Sequence, residues 1–191
     1  MLEWQLYDIR FRLSFLFPAT VIVLLSSDPR GTASLCLLAS LIHELGHIAV
    51  MLCLRDRPAC VTLGVFGMRM ERRCAQRLSY GGLCAVSLAG PVTNALCAIL
   101  LSGEAALVHG VMAITHGLPV VSLDGGEALY ALLCTRLSEK QADTVLRVCS
   151  GVVLLPLTVL GVCVLWDGGY NFTLLILSFY LILRMFLRRG H

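Results

Sequence analysis

The chain has 191 residues, of which 58% are hydrophobic and only 14% charged, and its mean hydropathy is +0.83. A soluble domain carries about 25% charged residues, so the composition excludes an ordinary soluble enzyme and leaves an integral membrane protein. The net charge of +3 is too small, and too scattered between apolar runs, to suggest a nucleic-acid partner.

Six spans are predicted, with room for roughly 20 residues each plus short loops. They fall at residues 11–26, 32–54, 78–101, a broken region at 104–133, then 148–166 and 172–187. The fold class expected is an all-α polytopic membrane protein, read as a single domain over 1–191 with no PDZ or CBS domain. Between spans 2 and 3, Val61, Leu63 and Val65 alternate with other residues; Phe66, Met68 and Met70 then alternate after a one-residue phase change flanked by Gly64 and Gly67. That pattern predicts a short membrane-associated β-hairpin; an amphipathic loop lying on the headgroups is the alternative. The nine cysteines form no CxxC pair and read as small buried hydrophobes, not a disulfide framework. The N-terminus lacks the cleavage signature of a removable signal peptide.

Basic residues set the orientation. Arg10 and Arg12 precede span 1, and Arg55, Arg57, Arg69, Arg72, Arg73 and Arg77 follow span 2. Arg136, Lys140 and Arg147 precede span 5, and Arg184, Arg188 and Arg189 close the chain, so 14 of the 15 Lys and Arg fall on one side. By the positive-inside rule that side is cytoplasmic, with both termini on it. The expected location is a bacterial cell membrane, with the lipid bilayer as a partner.

Span 2 contains "HELGH", residues 43–47. Two histidines four apart project from one helical face, so His43 and His47 can reach one zinc ion, with Glu44 placed to act on water there. Ionisable groups at bilayer depth cost roughly 2.5–3.5 kcal/mol or more each and mark function by default. A buried polar cluster bonded to neighbouring helices is the bland alternative. A catalytic zinc needs three protein ligands. The residues leave Asp124, Glu127, His116 and His109 open for the third. Gly117-Leu118-Pro119 breaks any helix before Asp124, and irregular backbone at membrane depth is tolerated only beside protein or a watery cavity. His47 lies about 12 Å from the cytoplasmic Arg55 and Asp124 about 18 Å from Arg136, at about 1.5 Å per helical residue; both depths fall in the cytoplasmic half of a core about 30 Å thick. His109 and His191 carry no clear signal.

Taken in order, "HELGH", "AGPVTN" and "LPVVSLDGG" resemble the site-2 protease family of intramembrane zinc metalloproteases, over nearly the whole chain. The compact form is similar to the branch containing stage IV sporulation protein FB. The resemblance implies one Zn2+ per chain held by His43, His47 and Asp124, with Glu44 as general base. It implies a supporting role for Asn94, for which an interhelical hydrogen bond is the alternative. His116 stands where the family often has asparagine, and substrate or oxyanion support is expected of it. The implied activity is hydrolysis of a peptide bond in or near a transmembrane segment of a membrane-protein substrate, such as a pro-sigma or anti-sigma factor whose release would be regulated. The competing reading is a non-proteolytic zinc-binding membrane protein, a carrier or scaffold.

Overall fold

The computed structural model describes residues 2–6, 9–56, 58–64, 67–72, 78–166 and 172–187. Two N-terminal strands, β1 (Leu2–Leu6) and β2 (Ile9–Leu13), precede α1 (Leu16–Ser26) and α2 (Thr32–Cys53). The next pair, β3 (Pro58–Gly64) and β4 (Gly67–Arg72), leads into α3 (Tyr80–Leu100) and α4 (Gly103–Gly117). Finally come α5 (Asp124–Cys134), α6 (Glu139–Trp166) and α7 (Thr173–Leu187). Val65, Phe66, Arg57, Arg73, Arg77, Arg188, Arg189 and His191 lie outside the described residues.

The predicted hairpin is present as β3–β4, with Gly64 opposite Gly67. It is half of something larger, because the strands form one four-stranded sheet in the order β1-β2-β3-β4. The outer pairs are antiparallel, and β2 runs parallel to β3 with Phe11 opposite Val61 and Leu13 opposite Leu63. The register therefore lines up Trp4, Phe11, Val61 and Met70 in one row and Glu3, Arg12, Thr62 and Arg69 in the next. This corrects two expectations. The protein is mainly helical rather than all-α, and the first apolar helix starts at Leu16, not residue 11, because Ile9–Leu13 pairs into the sheet.

Three helices, Thr32–Cys53, Tyr80–Leu100 and Glu139–Trp166, are long and apolar enough to cross a membrane, and Leu16–Ser26 and Thr173–Leu187 are shorter apolar helices. The broken fourth region is two helices, α4 and α5, separated by residues 118–123. The chain is thus an integral membrane protein in composition and helix length, with fewer full-length spans among the described residues than the six expected. Helix α6 starts at Glu139 rather than residue 148, so Lys140 and Arg147 sit on it rather than in a loop. Arg147 Nε donates to Asp143 Oδ2 at 2.7 Å, and its guanidinium also donates to the Met185 carbonyl at 2.9 Å, tying α6 to the end of α7.

Packing follows membrane rules. Leu16, Ile99, Leu107, Val152 and Phe186 are exposed, which suits an outer surface in contact with lipid. The buried positions are mostly small: Ala39, Ala89, Ala128, Ala131 and Ala142. Small residues let helices approach closely where no hydrophobic effect drives them together. Helix α3 is central and packs against α2, α4 and α5. Where α2 crosses it, a Cβ at Gly46 would lie 2.4 Å from Thr93 Oγ1 and 3.0 Å from the Ala89 carbonyl, so only glycine permits that approach. The start of α2 is fixed by Asp28, whose carboxylate accepts from the Arg30 N–H at 3.2 Å and from the Ala33 N–H. Gly31 supplies the left-handed turn between them, at φ 76°.

Candidate metal centre

On a helix, residues four apart differ by only about 40° in direction at roughly 100° per residue, and Glu44 falls about 60° from His47. The two histidines of α2 accordingly face inward together and are both buried, while Glu44 beside them is half-buried. Their Nε2 atoms are 3.2 Å apart. The face opposite them belongs to α3. A Cβ on Gly90 would lie 2.3 Å from His47 Nε2 and 2.6 Å from His43 Nε2. Glycine at that position, in "AGPVTN", leaves the space into which both nitrogens point.

Asp124 arrives from the other side as the first residue of α5, where the helix dipole favours a carboxylate. Residues 117–120 fold back tightly against that helix start. A Cβ on Gly125 would be 2.1 Å from the Gly117 carbonyl oxygen, and one on Gly126 would be 2.1 Å from the Val120 carbonyl oxygen. The two glycines after Asp124 are therefore steric requirements. The turn itself passes through Ser122 at φ 76° and is anchored to α6, where the buried Ser150 Oγ accepts from the Val121 N–H at 2.9 Å and donates to the Leu146 carbonyl at 2.7 Å. Val120 packs with Leu154 of α6 and Leu181 of α7 below it.

The three side chains converge. His43 Nε2 donates to Asp124 Oδ2 at 3.0 Å, and His47 Nε2 lies 3.6 Å from Asp124 Oδ1. One ligand atom from each of His43, His47 and Asp124 falls within 4.8 Å of the others, and among the described residues this is the one such group that could hold a metal ion. Two imidazole nitrogens and a carboxylate suit zinc. The outer contacts suit it too, since His47 Nδ1 donates to the Val86 carbonyl at 2.7 Å and so leaves Nε2 bare toward the centre.

His43 is held differently. Asn94 Nδ2 donates to His43 Nδ1 at 3.1 Å, and His109 Nδ1 donates to Asn94 Oδ1 at 2.9 Å. Asn94 thus makes an interhelical hydrogen bond, and does so on a candidate ligand. His109 of α4 is buried and was passed over in the sequence; the available signal was a histidine inside an apolar helix, where ionisable groups are rare. His116, 37% exposed at its side chain, donates from Nδ1 to Asp124 Oδ2 at 2.8 Å, and its ring centroid lies 4.4 Å from that of His43. Of the four candidates for the third ligand, only Asp124 joins the two histidines; His116 and His109 reach its neighbours, and Glu127 stands one turn along α5.

No protein-family model matches the chain, and no curated protein matches it. Among solved structures, it is similar to "Site-2 Protease from Methanocaldococcus jannaschii", at 15% identity and a TM-score of 0.67, covering 100% of this chain and 96% of that one. The chain has the fold of a site-2 protease.

Proposed function

We propose that the protein is an intramembrane zinc metalloendopeptidase of the site-2 protease family. The observation that carries this reading is the convergence of His43, His47 and Asp124 inside that fold, with Glu44 on the adjoining strip of the same helix. His43, His47 and Asp124 would hold the ion. A bound zinc supplies Lewis-acid polarisation of a carbonyl oxygen and lowers the pKa of water toward about 7.

The chain's own groups do the rest. Glu44 removes a proton from the attacking water as its oxygen bonds to the peptide carbonyl carbon. The same carboxyl then returns that proton to the departing amine nitrogen as the C–N bond breaks. His116, partly exposed beside Asp124, keeps the ligand carboxylate oriented and is near enough to the centre to meet the substrate. Asn94 holds the ring of His43. An extended substrate segment can add to a free sheet edge, β1 or β4, through main-chain hydrogen bonds, which tolerates many side-chain sequences. Helix-weakening residues near the cut lower the cost of that unwinding.

The cationic loops place the site nearer the cytoplasmic face. The substrate is a membrane protein cut in the cytoplasmic half of its span, and a membrane-held regulator such as a pro-sigma or anti-sigma factor fits that direction of release. A metal carrier would need ligands at several depths, whereas the three donors here gather at one point beside an acid placed as a base. The test is mass spectrometry of the new terminus after the purified protein, in lipid vesicles with zinc, is given a single-span membrane protein. A cut in the cytoplasmic half of the span is expected. A cut in the opposite third overturns the orientation, and zinc binding with no cleavage of any substrate favours the carrier or scaffold.

A further inference from the structure

We infer that His109 is a positioning residue for the metal, setting through Asn94 which nitrogen of His43 carries the proton. The inference rests on the metal reading of His43, His47 and Asp124. A neutral imidazole has one N–H and one bare nitrogen, and only the bare one can bind a metal. His47 is already in the binding form, because its Nδ1–H is committed to the Val86 carbonyl. His43 is in the other form. Its Nδ1 accepts from Asn94 Nδ2 and its Nε2–H points at Asp124 Oδ2.

Loading the ion therefore requires three linked changes and no net proton. The His43 proton leaves Nε2 and one arrives on Nδ1. Asn94 turns its amide by half a rotation, so that Oδ1 accepts from His43 Nδ1–H and Nδ2 faces His109. His109 Nδ1, which donates to Asn94 Oδ1 at 2.9 Å in the metal-free arrangement, must then be bare, with its proton on Nε2. Water carries each proton between nitrogens. Histidine suits position 109 because one ring nitrogen, in one place, serves as donor in one state and acceptor in the other. An apolar residue would leave one end of the buried Asn94 amide unpaired in both states.

The experiment uses the full chain, labelled with 15N-histidine, in lipid bilayers, and reads the protonation of each ring nitrogen by solid-state NMR before and after one equivalent of zinc. His43 and His109 are expected to exchange tautomer while His47 keeps its Nδ1 proton. Zinc coordinated by His43 with His109 still protonated on Nδ1 overturns the inference and leaves the metal site standing. Zinc that fails to perturb His43 and His47 overturns the metal reading and the inference with it. A chelator competition gives the second arm. His109→Leu should weaken zinc binding about 10-fold or more, and His109→Gln, whose amide can present either end, should recover most of it. Equal affinity of wild type and His109→Leu overturns the inference, as does equal weakening by Leu and Gln.

Discussion

The two halves of the candidate centre are built by different means. The histidine half belongs to one unbroken helix, α2, laid against α3 through Gly46 and Gly90, so its geometry comes from helix periodicity and close packing. The aspartate half hangs on a turn. Asp124 is aimed by residues 118–123, and these are held by α6 and α7 through Ser150, Leu154 and Leu181. The first half is rigid by construction and breaks when something is inserted. The second depends on support from helices that carry no ligand, and breaks when that support loosens.

Removing a donor has the largest effect on this contrast. Asp124→Ala leaves two ligands where a zinc site needs three, so most bound metal should be lost. Glu127→Ala, one turn further on, should leave the zinc in place. Elemental analysis decides, and the reverse result would mean that α5 presents the other acid. Next comes intrusion into the histidine half. Gly90→Ala puts a methyl group in van der Waals conflict with both Nε2 atoms, and zinc affinity should fall by about 10–100-fold, the range expected for losing a ligand's support. An unchanged affinity would show that α2 and α3 are not locked together there.

A smaller loss tests the aspartate half from a distance. Ser150→Ala leaves the buried Val121 N–H unpaired, at a cost of about 1–3 kcal/mol. Hydrogen exchange at Val121 should quicken and zinc affinity should drop a few-fold, although Ser150 touches no ligand. Exchange at wild-type rate would mean that the turn is held by packing alone. The smallest effect is expected at His116→Asn, which keeps a hydrogen-bond donor in place toward Asp124. Zinc and cleavage should both persist, and loss of zinc would promote His116 to a ligand.

The same division explains what the sequence could reveal. The histidine half is local, since "HELGH" puts its residues on one helical face without knowledge of the rest of the fold. The break before Asp124 was legible from Gly117, Pro119 and the paired glycines 125 and 126, although the fold-back that makes those glycines obligatory was not. Contacts across distant segments left no pattern to read. Ser150 lies 29 residues from Val121, and His109 reaches Asn94 across two helices. The N-terminal strands were legible and were missed. Leu2, Trp4 and Leu6 alternate with Glu3 and Gln5, and Ile9, Phe11 and Leu13 alternate with Arg10 and Arg12, a period-two signal masked by the apolar run that follows it. The parallel pairing of β2 with β3 was beyond reach, because α1 and α2 lie between them in the chain.

The most direct test of the central claim pairs two readings on one variant, zinc content and cleavage of a single-span substrate by Glu44→Gln. Glutamine keeps the shape but cannot accept the proton, and general acid–base catalysis contributes about 10²–10⁴-fold. The protein should retain about one zinc per chain, as the wild type does, while cleavage falls by at least that factor. A Glu44→Gln protein that holds zinc and cleaves at the wild-type rate would contradict the account.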